Sequence, residues 1–116
     1  MTVQECYSVF GGDYLGVSAR LRKDERILKY LRMFVSDESD RLLADALAGE
    51  RYEEAFRHVH NLKGVALNLG LTPLQIPAET LCEALRPGKP TVDISAMTEA
   101  VFAAYRRIYS AIQLLD

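Results

Sequence analysis

Apolar residues recur at helical spacing along nearly the whole chain, and no segment shows the sustained alternation of a β-strand. The clearest case is the segment from Tyr52 to Leu69, whose apolar positions follow one another at intervals of four, three, four and three residues. These positions are Ala55, Val59, Leu62, Ala66 and Leu69. Such a heptad-like pattern is typical of a helix in a bundle core. The sequence therefore predicts an all-α fold with a long central helix.

Capping residues divide the rest of the chain into further helices. Thr2 and Glu5 have the spacing of a capping box, so a short helix should begin there and end at Gly11-Gly12. A second short helix is expected at about 14–21. The longer helices are expected to begin at four N-terminal caps, which are Asp24, Asp37, Thr72 and Asp93.

The longer helices outside 52–69 also have apolar faces that should turn inward. In the helices expected at about 24–35 and 37–48, the inward residues are Ile27, Leu28, Leu31, Phe34, Leu42, Leu43, Ala46 and Leu47. In those expected at about 73–85 and 94–114, they are Leu74, Leu81, Leu85, Met97, Val101, Ala104, Tyr105, Ile108 and Ile112.

Helix-breaking residues indicate how these helices are joined. Gly49 and Gly70 follow the last apolar positions of two helices and should end them. Pro73 fits the first position of its helix, whereas Pro77 should bend or delay that helix. A loop is expected at 86–92. Because short links favour antiparallel neighbours, the predicted architecture is an up-and-down antiparallel four-helix bundle with extra short N-terminal helices.

Length and composition narrow the class of protein. The chain of 116 residues is long enough for one core, so we expect a single domain over 1–116 with its bundle core at about 24–115. With 49% apolar and 26% charged residues it should be globular. A net charge of −2 does not favour nucleic acid or an anionic membrane as a partner. No apolar run is long enough for a membrane span, and no secretory signal is visible.

The spacing of the cysteines and histidines argues against metal or redox chemistry. Cys6 and Cys82 lack CxxC spacing and are interpreted as reduced thiols of a cytoplasmic protein, although one disulfide between them is possible. His58 and His60 form an HxH pair, but on a helix their side chains diverge by about 200° and cannot easily bind one ion. No P-loop and no cluster with metal spacing occurs, so we expect neither a nucleotide nor a metal site.

His60 should lie on the outer flank of the central helix. A step of about 100° per residue puts Lys63 and Gly64 on its side, with the apolar seam well over a quarter turn away. A surface histidine alone usually has no function, but Gly64 argues for one. Glycine inside a helix costs about 0.5–1 kcal/mol relative to alanine, and a common reason for it is close approach by a ligand or another backbone.

The stretch His60-Asn61-Leu62-Lys63-Gly64 resembles the phosphoacceptor motif of histidine-containing phosphotransfer (HPt) domains. The stretch from Tyr7 to Tyr14 is similar to small stand-alone members of that family. Val59, where the family usually has alanine, and Pro77 depart from its pattern. Further segments similar to the family are Ala55-Phe56, Asn68-Leu69-Gly70 and 81–85.

The resemblance implies that His60 takes a phosphoryl group from the aspartate of a receiver domain and passes it to another receiver. A neutral imidazole can attack without a dedicated base, and phosphoryl transfer mainly needs positioning and charge stabilisation. Lys63 would stabilise the phosphoryl oxygens, and Gly64 would leave room for the receiver. The implied partners are response-regulator receiver domains and a hybrid histidine kinase. Mg²⁺ is expected on the receiver, so this chain, expected to be a monomer, needs no cofactor and is not itself an enzyme.

Four residues near His60 are further candidates for partner binding: Arg57, Asn61, Leu67 and Asn68. Each also has an ordinary explanation, because charged residues, polar helix ends and single leucines are common on protein surfaces. The same alternatives hold for Lys63 and for the basic run 20–26, which could speed the encounter with an acidic receiver.

Two other functions remain open from the sequence. One is a helical interaction module that binds a receiver or kinase by the same surface without chemistry, although such a module would be expected to lose His60. The other is a histidine-dependent hydrolase. Its support is weak, because only Glu53, two turns away, could assist His60.

Overall fold

The computed structural model describes residues 1–115, and over that range the protein consists of seven α-helices and no strand. The predicted all-α fold is therefore confirmed. Asp116, the last residue of the predicted domain, lies outside the described residues. The helices are α1 Val3–Phe10, α2 Tyr14–Leu21, α3 Asp24–Ser36, α4 Ser39–Ala48, α5 Tyr52–Leu69, α6 Thr72–Leu85 and α7 Ser95–Ile112.

Helix α1 begins at the predicted capping box. The Thr2 hydroxyl accepts a hydrogen bond from the Glu5 N–H at 3.0 Å, and the Glu5 carboxylate accepts one from the Thr2 N–H at 2.8 Å. The hydrogen bond that the Glu5 carboxylate accepts from the Thr2 backbone is the main cause that lowers the pKa of Glu5. Gly11 ends the helix with φ at 81°, in the left-handed region that favours glycine. Both ends of α1 therefore agree with the sequence prediction.

Two of the four predicted caps are wrong. Asp24 is the first residue of α3 and not its cap, and its carboxylate accepts a 2.6 Å hydrogen bond from the Tyr14 hydroxyl instead. Thr72 is likewise the first residue of α6, which makes Pro73 the second. Pro77 lies inside α6, which begins five residues earlier, so it does not delay the helix. The alternative effect, a bend at Pro77, stays a prediction.

The other two predicted caps act from one position further out. Asp37 accepts hydrogen bonds from the backbone N–H and the hydroxyl of Ser39, the first residue of α4. Asp93 binds Ser95 in the same way at the start of α7. The hydrogen bonds from Ser95 also lower the pKa of Asp93. Both aspartates therefore stabilise a helix start, two residues before the first helical residue.

The core is built around α5, whose predicted seam from Ala55 to Leu69 is buried throughout. Helix α5 packs most extensively on α6 and α4, and α6 packs in turn on α7. The prediction was wrong for Leu42, which is 38% exposed, because Leu43 and Ala46 supply the inward face of α4. Cys6 and Cys82 are buried in this core and unpaired.

The N-terminal helices dock on the turn between α5 and α6. The Asp13 N–H donates to the Gly70 carbonyl at 2.9 Å. Gly70 has φ at 65°, and a Cβ there would lie 2.7 Å from the Asp13 carbonyl oxygen. Both the backbone conformation and this close approach therefore require glycine at the predicted end of α5. Within residues 1–115, no helix combines the length and apolar character that a bilayer span needs.

Candidate functional site

His60 lies on α5 with its side chain exposed, as the helical wheel predicted. Gly64, one turn further on, is exposed as well. No heavy atom outside the local helix backbone lies within 4 Å of the position that a Cβ at Gly64 would occupy. Packing inside the chain therefore does not require this glycine. The open surface beside His60 is available to a second molecule.

Lys63 lies on the side of α5 that faces α6, and it is half-buried. Its charge acts on two groups of α6. Burial raises the pKa of Cys82, and Lys63 partly opposes that shift. The Arg86 hydrogen bond lowers the pKa of Glu83, and Lys63 contributes in the same direction. Lys63 therefore favours the charged forms of both α6 groups, while the buried Cys82 thiol is a poor nucleophile.

An aromatic contact next to His60 was not foreseen from the sequence. The Phe56 and His60 rings have centroids 5.7 Å apart and an interplanar angle of 39°. The guanidinium carbon of Arg86 lies 5.4 Å from the Phe56 ring centroid. The spacing of Phe56, four residues before His60, could have revealed the first contact. The second joins two helices, and no sequence spacing indicates it.

A cavity of about 420 Å³ with mainly apolar walls lies along α5, on the side of the helix that carries Asn61 and Asn68. Helix α5 contributes Asn61, Val65 and Asn68 to its wall, and α3 contributes Tyr30 and Met33. The side chains of Tyr30 and Met33 are 40% and 55% exposed. Two predicted site residues, Asn61 and Asn68, therefore line a concave apolar surface that opens beside the histidine helix.

Arg20 closes the end of α5 beside this cavity. Its guanidinium donates to the carbonyl of Leu67 at 3.1 Å and to that of Asn68 at 2.8 Å. These are among the last carbonyls of the helix, which lack partners within it, and a cation there also opposes the helix dipole. Arg20 is exposed, and its hydrogen bonds to these carbonyls were not foreseen from the sequence. In this contact with Arg20, Asn68 accepts the hydrogen bond with its backbone oxygen and not with its side chain.

The remaining candidates occupy different environments. Arg57 and Glu53 are exposed, and Leu67 is 55% exposed. His58 is half-buried, and its Nε2 is buried without a hydrogen-bond partner, so the two histidines have separate surroundings. Among the residues that the structure describes, no three His, Cys, Asp or Glu side chains come together as a metal site would require.

The exposed His60, the half-buried Lys63 three residues on and the open Gly64 four residues on lie on one helix of an all-helical protein. The family model of the Hpt domain matches residues 29–114, well over half of the chain. The chain therefore belongs to the Hpt domain family. Comparison with curated proteins and with solved structures gives no match.

Family membership implies phosphotransfer in two-component signalling. Hpt domains are phosphocarriers rather than catalysts, and they interact with receiver domains and histidine kinases. The family match begins inside α3, so it does not cover α1 and α2. The N-terminal residues that contact the end of α5 therefore lie outside the matched region, whereas the end of α5 lies within it.

Proposed function

We propose that this protein is a phosphorelay intermediate that accepts a phosphoryl group on His60 from the aspartate of one receiver domain and passes it to another. The observation that carries the proposal is the exposed His60 beside the open surface at Gly64. A receiver must bring its aspartate and surrounding loops to the imidazole, and a side chain at position 64 would obstruct that approach.

In the proposed reaction, one imidazole nitrogen of His60 supplies the electron pair that forms the N–P bond. The O–P bond of the aspartyl phosphate breaks, and the aspartate leaves as a carboxylate. Transfer to the next receiver reverses these steps. Lys63 stabilises the phosphoryl oxygens as a charge-assisted donor, and the partner supplies the remaining groups around the phosphoryl. Hydrogen-bond donors beside a transferred phosphoryl group act mainly by positioning and electrostatics.

The proposed receiver-binding surface surrounds His60 on α5. Leu67 offers an exposed apolar contact, and Asn61 and Asn68 border the cavity next to it. Arg57 adds positive charge on the same side of the helix. A mixed apolar and basic surface of this kind suits a partner that carries acidic groups around its phosphorylated aspartate.

The proposal extends to the architecture, the oligomeric state and the location of the chain. Its longer helices form an up-and-down antiparallel bundle, and the whole chain acts as one monomeric domain. A hybrid histidine kinase supplies the phosphoryl group through its receiver. The two unpaired cysteines favour the reducing cytoplasm as the place of action.

Incubation with a phosphorylated receiver from the same organism tests the proposal. The wild-type protein should acquire acid-labile, alkali-stable label, and His60→Gln should acquire none. His58→Gln, in which the other histidine is replaced, should be labelled like the wild type. Label retained by His60→Gln would refute the assignment. Receiver binding without any labelling of the wild type would instead favour an interaction module.

A further inference from the structure

The Phe56 ring lies beside the imidazole of His60 on α5. The two rings are 5.7 Å apart between centroids and tilted by 39°. They are separated by four residues, so both side chains extend from one side of the helix. Phe56 is half-buried while His60 is exposed. One ring is therefore anchored in the protein surface, and the other is in solvent beside it.

The Phe56 ring is held in turn from a second helix. The Arg86 guanidinium carbon lies 5.4 Å from its centroid, within the range of a cation–π contact. Arg86 pairs in turn with both carboxylate oxygens of Glu83, since its Nη2 donates to Oε1 at 2.7 Å and its Nε donates to Oε2 at 3.3 Å. This two-bond pair is a geometry that restricts a guanidinium more than a single contact does. The end of α6 thus fixes the neighbour of His60.

We infer that Phe56 is a positioning residue for His60, held in place by Arg86 from α6. The inference rests on the proposed phosphoacceptor role of His60. The Phe56 ring restricts the rotamers of the imidazole and covers part of its surface. The receiver then approaches the part of the imidazole surface that Phe56 leaves uncovered. After phosphorylation, the same ring limits the access of water to the N–P bond from its side.

Nuclear magnetic resonance of the unphosphorylated protein tests the positioning directly. Three variants are compared with the wild type: Phe56→Leu, Phe56→Tyr and Arg86→Gln. The matched control is Arg41→Gln, because Arg41 also pairs with a glutamate three residues before it and is 57% exposed, against 52% for Arg86. The readouts are the side-chain rotamer populations of His60 and the resonance positions of its ring protons.

Phe56→Leu should broaden the His60 rotamer distribution and remove the ring-current shift of its ring protons. Phe56→Tyr should preserve both, and Arg86→Gln should give a smaller change in the same direction. Arg41→Gln should leave His60 unchanged. If His60 has the same rotamer populations in Phe56→Leu as in the wild type, Phe56 does not position it and the inference is wrong.

Transfer kinetics give the functional readout. Phe56→Leu should lower the rate of phosphoryl transfer about two- to tenfold, from the usual strength of an aromatic pair, and Phe56→Tyr should restore it. A purely structural Phe56 would change thermal stability and leave the transfer rate of the folded protein unaltered. Absence of labelling in the wild type would refute the proposed function, whereas normal labelling with an unchanged rate in Phe56→Leu would refute only the positioning.

Discussion

The Tyr7 hydroxyl donates a 2.6 Å hydrogen bond to the backbone carbonyl of Leu69, 62 residues further along the chain. This bond is buried and joins α1 to the end of the helix that carries His60. Arg20 makes a second connection there, to the carbonyls of Leu67 and Asn68. Because the last carbonyls of a helix lack partners within it, the N-terminal segment completes α5 rather than merely covering it.

We expect Tyr7→Phe to lower the free energy of unfolding by about 1–3 kcal/mol, because the buried Leu69 carbonyl loses its donor. Urea unfolding measures the change. Tyr30→Phe is the control, since Tyr30 is 40% exposed, and it should change stability by less than about 0.5 kcal/mol. Equal effects of the two substitutions would mean that the Tyr7 hydrogen bond does not stabilise the fold.

The parts of the fold that follow from local pattern could be predicted from the sequence. The bounds of α5 and its buried seam agree with the predicted helix, because a long amphipathic stretch ended by Gly70 leaves few alternatives. The predicted side-chain cap of α3 was wrong, because it depends on contacts between helices and not on local pattern alone. Whether Asp24 caps its own helix or binds Tyr14 depends on how α2 packs against α3, which sequence spacing does not reveal.

The same distinction applies to the site. The mutual placement of His60, Lys63 and Gly64 needs only the geometry of one helix, so the sequence was sufficient to place them. The contact of Arg86 with Phe56 joins different helices and became visible only in the structure. The cavity beside Asn61 is likewise formed by several helices. Their functional roles stay predictions that the experiments must test.

The start of α7 should depend on pH through Asp93. Hydrogen bonds from Ser95 lower the pKa of this carboxyl below its ordinary value of 3.8, so the folded pKa is the lower of the two. The stabilisation is therefore present above about pH 3.8 and is lost as the pH falls through the folded value. The difference in melting temperature between wild type and Asp93→Asn should be larger at pH 7 than at pH 3. A difference in melting temperature that is independent of pH would contradict this role of Asp93. In a Ser95→Ala background, the effect of Asp93→Asn on the melting temperature should be smaller.

Lys63 should matter more for the phosphorylated protein than for the fold. Removal of its charge-assisted contact in Lys63→Ala should slow phosphoryl transfer about tenfold or more, while the free energy of unfolding changes by less than about 0.5 kcal/mol. Lys63→Arg should keep part of the transfer rate because it keeps the charge. Lys29→Ala, on exposed α3 surface, is the control. Transfer by Lys63→Ala at the wild-type rate would exclude Lys63 from the site.

Gly64 should be a position at which stability and function oppose each other. Since no heavy atom outside the local helix backbone lies within 4 Å of a Cβ there, Gly64→Ala should raise the free energy of unfolding by about 0.5–1 kcal/mol. The added methyl group occupies the surface that a receiver must approach, so transfer should become slower in the more stable protein. Urea unfolding and transfer rates on the same samples give both quantities.

A larger side chain should make the conflict at Gly64 more severe. Gly64→Glu should remain folded, because space is open around it, yet bulk and negative charge should repel both the phosphoryl group and an acidic receiver surface. Ala103→Glu, at an exposed position of α7, introduces the same side chain elsewhere and should transfer at the wild-type rate. If Gly64→Glu is folded and also transfers normally, the receiver does not approach over Gly64. The glycine would then need another explanation, because its own chain leaves the space above it empty.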